Sequence, residues 1–306
     1  MKMTLLGTGT SHGIPCIACQ CPVCLSKDKR DKRLRCSAYL THKNKDKSQT
    51  NILIDIGPEF RIQALKYKIK KVDAVLLTHS HADHLHGLDD IRIFSHTISS
   101  SHLTNPELGK ETEGDGICIY GNKSTLKDVK SRFSYVFNET QIGGGKPKLR
   151  LERSRVMKEK NPEEFKDVRV LPIPLLHGKL KSTGWLFSVT GKDKQRHSIA
   201  YLTDLSYISE KSIQKIVDNG GIIDHLVIDA LKIEKHQTHF SFLQAMEVAE
   251  RIGSLHTWFI HICHRSSHVE IQEYIKEHLD EFPALLKIVE NGGSVEPAWD
   301  GLTLEV

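Results

Sequence analysis

The 306-residue chain is 39% hydrophobic and 26% charged, which supports a substantial core and argues against disorder throughout. Lysine and arginine exceed the acids by five, a mild excess that suits an anionic substrate without identifying a nucleic acid. No window reaches the ~18 apolar residues of a membrane span and no apolar signal segment follows Leu5-Leu6, so a soluble, cytoplasmic protein without membrane contact is expected.

Residues 3–6 are a predicted first strand, broken by Gly7-Thr8-Gly9-Thr10, whose small residues permit a tight turn or a close backbone approach to the histidine-rich loop downstream. No Gly-Lys-Ser/Thr or dinucleotide spacing follows, which excludes a nucleotide-binding loop. His12 is expected to be structural or to support a ligand from behind. Of the seven cysteines, Cys16, Cys19, Cys21 and Cys24 crowd one turn, while Cys36, Cys118 and Cys263 stand apart. The odd total and this crowding favour metal binding over a disulfide framework. Cys21-x-x-Cys24 offers two thiolates and Cys19 a third, so a soft ion held here needs a fourth ligand from elsewhere. The alternative for the pair alone is a redox dithiol, and Cys16 is a spare or alternative ligand. The lysine-rich segments 27–32 and 43–47 read as solvated loops.

Residues 37–40 and 51–55 read as a hairpin that ends in Asp55 and Gly57, with Asp55 placed to hold the N–H of a metal-ligating imidazole. After a predicted helix over 58–68 comes the stretch that organises the chain, KVDAVLLTHSHADHLHGL, residues 71–88. An apolar run through Leu77 reads as a buried strand. It ends at Thr78, and His79, His81, Asp83 and His84 follow, with a helix expected from about the last of them through Leu88, Ile91 and Phe94. Imidazole nitrogens and a carboxylate suit Zn²⁺ or Mn²⁺. Spacings of two and one are hard to gather on a single tetrahedral ion, whereas two ions ~3.5–4 Å apart could divide the four groups and hold a hydroxide between them. That arrangement needs further ligands from the rest of the chain.

Two polar stretches, 96–116 and 138–168, read as long loop inserts near a substrate. Between them residues 116–120 and 135–137 are predicted strands, with a helix over 124–130. Residues 168–176 form an extended run whose prolines favour a sheet edge, delivering His177. Strands are predicted over 183–189 and over 198–202, the latter handing over Asp204, with a helix over 209–218. Residues 226–228 lead to Asp229 and then to His236 and His239, and a helix over 240–252 has Ser241 as a candidate cap. TWFIHICHRSSH, residues 257–268, carries His261 and His264 at a strand end. A helix over 270–277 and a last strand over 286–289 complete the reading.

The segment Thr78-His79-Ser80-His81-Ala82-Asp83-His84 resembles the T-H-x-H-x-D-H signature of the metallo-β-lactamase superfamily, and His177, Asp204 and His261 fall where that family places its remaining metal ligands. Cys19-x-Cys21-x-x-Cys24, His239 and the pair His261-x-x-His264 are most similar to the phosphonate-pathway branch that hydrolyses a phosphoribosyl 1,2-cyclic phosphate. The resemblance covers nearly the whole chain and implies one hydrolase domain over 1–306, an αββα four-layer sandwich and a homodimer. It implies His79, His81 and His177 on one Zn²⁺ or Mn²⁺, Asp83, His84 and His261 on the other, and Asp204 bridging as part of the catalytic apparatus. A structural Zn²⁺ would take Cys19, Cys21, Cys24 and His264. His239, with His236 as its rival, would face the substrate as proton donor or phosphate contact. The reaction expected is hydrolysis of a small, cyclic or linear, sugar or nucleotide phosphodiester by a metal-bridging hydroxide. An RNA-end-processing endonuclease, a thiolesterase-type hydrolase and a non-catalytic metal-binding protein are the competing readings, with nucleic acid not favoured.

Overall fold

The computed structural model describes residues 1–95, 116–138, 146–158 and 165–306. Most of the two polar stretches, 96–115, 139–145 and 159–164, therefore lies outside the described residues. Among these, thirteen strands form two sheets. The first comprises β1 (Lys2–Gly7), β2 (Ser37–Lys43), β3 (Gln49–Ile54), β4 (Ala74–Leu76), β5 (Ile117–Gly121), β6 (Leu149–Arg153) and, at the opposite edge from β6, the C-terminal strand Thr303–Glu305. The second comprises β7 (Arg169–His177), β8 (Leu180–Thr190), β9 (Arg196–Leu202), β10 (Ile222–Asp229), β11 (His256–Ile260) and β12 (Ser294–Pro297), so that Thr303–Glu305 is β13.

Strand alternation divides the apolar residues between two faces. Leu5, Leu40, Ile52 and Leu76 from the first sheet meet Trp185, Phe187, Tyr201 and Ile260 from the second in a shared inner core. On the outer face of the first sheet, Leu53, Val75 and Ile119 pack with Phe60, Leu85 and Val129 from the flanking helices. On the outer face of the second, Leu186, Ala200 and Ile228 pack under the helices Glu210–Gly220, Phe242–Ile252 and His268–His278. The layers run helix, sheet, sheet, helix, the αββα architecture expected from the resemblance. The pattern is stabilising because each sheet removes both faces from water, and burial contributes ~25 cal/mol per Å² of apolar surface.

The proline-bearing β7 lies at the edge of its sheet, as its sequence predicts. Three local expectations are corrected. Residues 135–137 lie in a helical turn, Ser134–Phe137, continuing from the helix Lys123–Arg132, because Val136 donates its amide to the Phe133 carbonyl. The run at 286–289 belongs to the helix Pro283–Glu290, with proline in its first turn and Leu285 turned into the core. β6, inside the stretch read as irregular, pairs in parallel with β5 at the sheet edge, where its half-exposed LRLER sequence needs no apolar run.

Parallel pairing runs through β3–β4–β5–β6 and through β9–β10–β11–β12. Ligand sites in such sheets lie outside the carboxyl ends of the strands. Here β3 ends before Asp55, β4 before Thr78-His79, β9 before Asp204, β10 at Asp229 and β11 before His261. Asp55, Asp204 and His261 take left-handed φ values of 56°, 53° and 60°, which turn each side chain sharply off its strand.

Candidate metal centre

Two groups of side chains converge at these strand ends. His79, His81 and His177 bring one ligand atom each within 4.8 Å of one another, and so do Asp83, His84, Asp204 and His261. Asp204 lies between them: its Oδ1 is 3.8 Å from the Nε2 of both His79 and His177 and 3.3 Å from that of His261, while its Oδ2 is 3.1 Å from His84 Nε2. Donors ~2.1 Å from a common ion sit about 3.0–3.4 Å apart at octahedral or tetrahedral angles, so the separations to His84 and His261 fit a shared cation, while the 3.8 Å separations to His79 and His177 are wider than that range. A second observation supports the fit. The Nε2 atoms of His79, His84 and His261 are buried without a hydrogen-bond partner, a costly state for a polar atom unless a ligand completes it.

The imidazole orientations are set from behind. Asp55 is fully buried; its Oδ1 accepts the Thr78 amide (2.8 Å) and its Oδ2 accepts the Thr78 hydroxyl (2.8 Å) and faces His84 Nδ1 at 2.7 Å. With its proton committed to Asp55, Thr78 Oγ1 accepts from His79 Nδ1 at 3.0 Å. His177 Nδ1 donates to the Thr238 carbonyl at 2.6 Å. In all three rings Nδ1 carries the proton and Nε2 is left to bind. Thr238 had no signal in the sequence, since a backbone carbonyl is available at any position.

Electrostatics agree. Burial would raise Asp204, but the charges of His261, His84 and His79 hold its carboxyl well below the usual range. Burial likewise works against ionising Asp83, and His84 and His261 outweigh it. His84 goes the other way: desolvation lowers it, and the charges of Asp204, Asp83 and Asp55 more than reverse that. His79 is driven down by burial first and by His84 second.

His239 is buried beside this centre, stacked on His261 (centroids 4.4 Å) and edge-on to His177 (4.6 Å). Its Nδ1 is 2.7 Å from Asp229 Oδ2, which also accepts the Leu205 amide at 3.2 Å. Burial lowers the imidazole, but the charge and hydrogen bond of Asp229 raise it to about 9 in the metal-free protein. Sequence reasoning gave Asp229 no role. The signal was present: it is a third acid at an apolar strand end, after Asp55 and Asp204. His236 is exposed, with its Nδ1 3.2 Å from Thr238 Oγ1 and its ring 5.5 Å from that of His239. The segment between β10 and the helix Phe242–Ile252, which carries both histidines, is irregular.

The cysteine turn forms a separate cluster with His264. His264 Nδ1 lies 3.3, 3.4 and 3.5 Å from the sulfurs of Cys19, Cys21 and Cys24. A tetrahedral zinc with ~2.3 Å bonds to sulfur and ~2.0 Å to nitrogen requires S···N separations of ~3.5 Å, so the set fits. The Cys24 amide donating to Cys21 Sγ, with His264 beside it, pulls the Cys21 thiol down to about 6, while burial pushes Cys24 up to about 12. Cys16 stands outside the cluster: its Sγ donates to the Gly13 carbonyl (3.2 Å) and its amide to Cys24 Sγ (3.3 Å). His12 is exposed beside Ser11, which corrects the supporting role expected for it. The glycine-threonine turn does make a close approach, but to the last ligand segment: Ile262 donates to the Thr8 carbonyl and Thr10 to the Ile262 carbonyl, both at 3.1 Å.

Comparison with known proteins places this geometry. A model of the beta-lactamase superfamily domain matches residues 50–262. A crystal structure of a new diphosphatase from the PhnP family is 32% identical, with a TM-score of 0.73, and the match covers 100% of this chain and 97% of that one. Zn²⁺-bound PqqB from Methylobacterium extorquens, 16% identical over the full length of both chains with a TM-score of 0.69, shares the fold. A curated octanoyltransferase from Porphyromonas gingivalis (strain ATCC BAA-308 / W83) is 32% identical over 296 residues, 96% of this chain. The chain spans about half the length of that relative, 52%.

Proposed function

The chain belongs to the metallo-β-lactamase superfamily and, within it, to the PhnP family, and on that premise we propose that it is a metal-dependent phosphodiesterase acting on a small anionic diester, cyclic or linear. The observation that carries the reading is the convergence of two ligand groups on Asp204 with buried, unpartnered Nε2 atoms facing it. In this reading His79, His81 and His177 would hold one Zn²⁺ or Mn²⁺, Asp83, His84 and His261 the second, and Asp204 both. Two such ions supply Lewis-acid stabilisation of phosphoryl oxygens and a water activated near neutral pH.

The protein's own groups do the rest. Asp55, Thr78 and the Thr238 carbonyl keep the ligand imidazoles in the Nε2-binding tautomer. Asp229 occupies Nδ1 of His239, leaving Nε2 as the atom that can give a proton to a departing alkoxide or hold a phosphoryl oxygen. Cys19, Cys21, Cys24 and His264 would hold a structural Zn²⁺, tying the N-terminal turn to the segment that carries His261. One hydrolase unit over 1–306, assembled as a homodimer, completes the proposal; sedimentation or light scattering reads the mass. A cytoplasmic location is supported by seven free cysteines, three of them clustered for metal. No helix among the described residues is long and apolar enough to cross a membrane.

The test is a substrate panel on metal-replete protein: bis(p-nitrophenyl) phosphate, a ribose 1,2-cyclic phosphate, a nucleoside diphosphate ester, precursor tRNA and an octanoyl thioester. Turnover of the small diesters is expected. Turnover of the thioester alone would replace the proposal with acyl chemistry, and turnover of tRNA alone with RNA processing.

A further inference from the structure

A pocket of about 450 Å³ opens where the free edges of the two sheets face each other, between the residues after β6 and the strands β7 and β8. Its floor is apolar. Pro172, Pro174 and Leu176 share one face of β7, the face that points between the sheets through Val170. Its rim is cationic: Arg155 and Lys181 are both exposed, and no acidic residue is among the described residues lining it. Tyr207, 56% exposed and bridged through its backbone to Leu176, lines the same pocket and offers an aromatic side chain.

The pocket adjoins the metal centre through the chain itself. Leu176 immediately precedes His177, and the Thr183 amide donates at 2.9 Å to the carbonyl of Thr78, the residue before His79. Tyr207 is three residues beyond Asp204, no more than ~10 Å along an extended backbone. A substrate with its phosphodiester at Asp204 can therefore extend an arm into this pocket.

We propose that the pocket is a specificity subsite for the non-reacting arm of the diester, an arm with a ring body and its own anionic group, as in a nucleoside phosphate. The ring lies against Tyr207 and the Pro174–Leu176 floor, and the anion meets Lys181 and Arg155. This inference rests on the phosphodiesterase reading, and its test separates the two.

Methyl p-nitrophenyl phosphate carries no arm, whereas the p-nitrophenyl ester of thymidine 3′,5′-bisphosphate at its 5′-phosphate carries ring and second anion. Both release the same leaving group. The subsite predicts that wild type favours the armed ester in kcat/KM, and that Lys181→Glu and Arg155→Glu each cut that preference about tenfold. Both positions are exposed, so folding should survive, and metal content is measured alongside. Calorimetric titration of the metal-loaded protein with thymidine 3′,5′-bisphosphate is the second readout, with Kd rising about tenfold in each variant. A preference ratio and Kd within about twofold of wild type in both variants would overturn the subsite. If wild type cleaves neither ester yet binds the bisphosphate in a Lys181-dependent way, the diesterase reading falls and the subsite stands.

Discussion

The candidate ligands around Asp204 arrive from the ends of four strands in both sheets, whereas three of the four candidate ligands of the cysteine cluster come from one turn of six residues. The first set is anchored by the inner core and by Asp55, the Thr78 hydroxyl and the Thr238 carbonyl behind His84, His79 and His177; the second is anchored by its own amide-to-sulfur hydrogen bonds and by His264. Rigid, separately delivered side chains can leave space between them for a substrate. A closed turn cannot, because three thiols and one imidazole already complete a tetrahedron. The segment from His261 to His264 belongs to both, so the difference between the sites is one of chemistry within a single mechanical unit.

The sharpest way to break this contrast is Asp204→Ala. Asp204 is the one side chain shared by both ligand groups, so its loss should cost more than the ~10–100-fold that follows removal of an outer partner. Elemental analysis should show the strand-end metals lost together and the cysteine-site zinc retained; loss of only one strand-end ion would end the bridging assignment. Next in size is His239→Ala, which removes a group beside the candidate metal centre that the proposal leaves out of both ligand sets. With metals intact it should slow a diester with an alkyl leaving group by ~10²–10⁴ and leave a p-nitrophenyl ester nearly unaffected if Nε2 donates the proton. Equal losses on both would make it a phosphate contact. Asp229→Asn keeps the shape and removes the charge behind His239, so the same leaving-group dependence should appear at about 10–100-fold.

What the sequence could show follows from how each contact is made. Side-chain ligands at strand ends were legible, because an apolar run stopping at Thr78 or before Asp204 is a one-dimensional signal. Asp55 was legible for the same reason, and Asp229 should have been. The Thr238 carbonyl behind His177 and the Cys16 amide behind Cys24 were not, because the backbone offers the same groups at every residue. β6 and β13 escaped notice because edge strands with a half-exposed face lack a continuous apolar run. The run at 286–289 misled because β-branched and leucine residues suit either a buried strand or a helix face, and Pro283 was the signal that decides it. The αββα layering came from the resemblance; periodicity alone supplied only alternating strands and helices.

The cysteine site gives smaller effects, and they separate support from chemistry. Cys21→Ser should lose the third metal ion and lower Tm by several degrees, since about 1 kcal/mol moves Tm by ~2–4 °C in chains of 150–250 residues. Activity in excess metal should fall only in part, because His261 is still carried by β11 and by the Thr8–Thr10 bonds to Ile262. Abolished turnover with both strand-end ions retained would show that the turn does more than hold a strand end.

The smallest expected effect is the most discriminating. Cys16 lies in the same turn as the ligands and by sequence could replace any of them. In the structure its thiol donates to the Gly13 carbonyl while lying beside Cys24, and its amide donates to Cys24 Sγ. An amide is unchanged by Cys16→Ala. That variant should therefore keep its zinc stoichiometry and a Tm within about 2 °C of wild type, as expected when a half-buried thiol loses one weak hydrogen bond. His264→Ala, by contrast, removes the only imidazole of the cluster and opens a place that Cys16 could fill after a rotation about its Cα–Cβ bond. Zinc retained in His264→Ala but lost in His264→Ala with Cys16→Ala would identify Cys16 as a reserve ligand. Zinc lost from Cys16→Ala alone would instead place a fourth thiolate in the native site and remove His264 from it, breaking the link between the cysteine turn and the segment that carries His261.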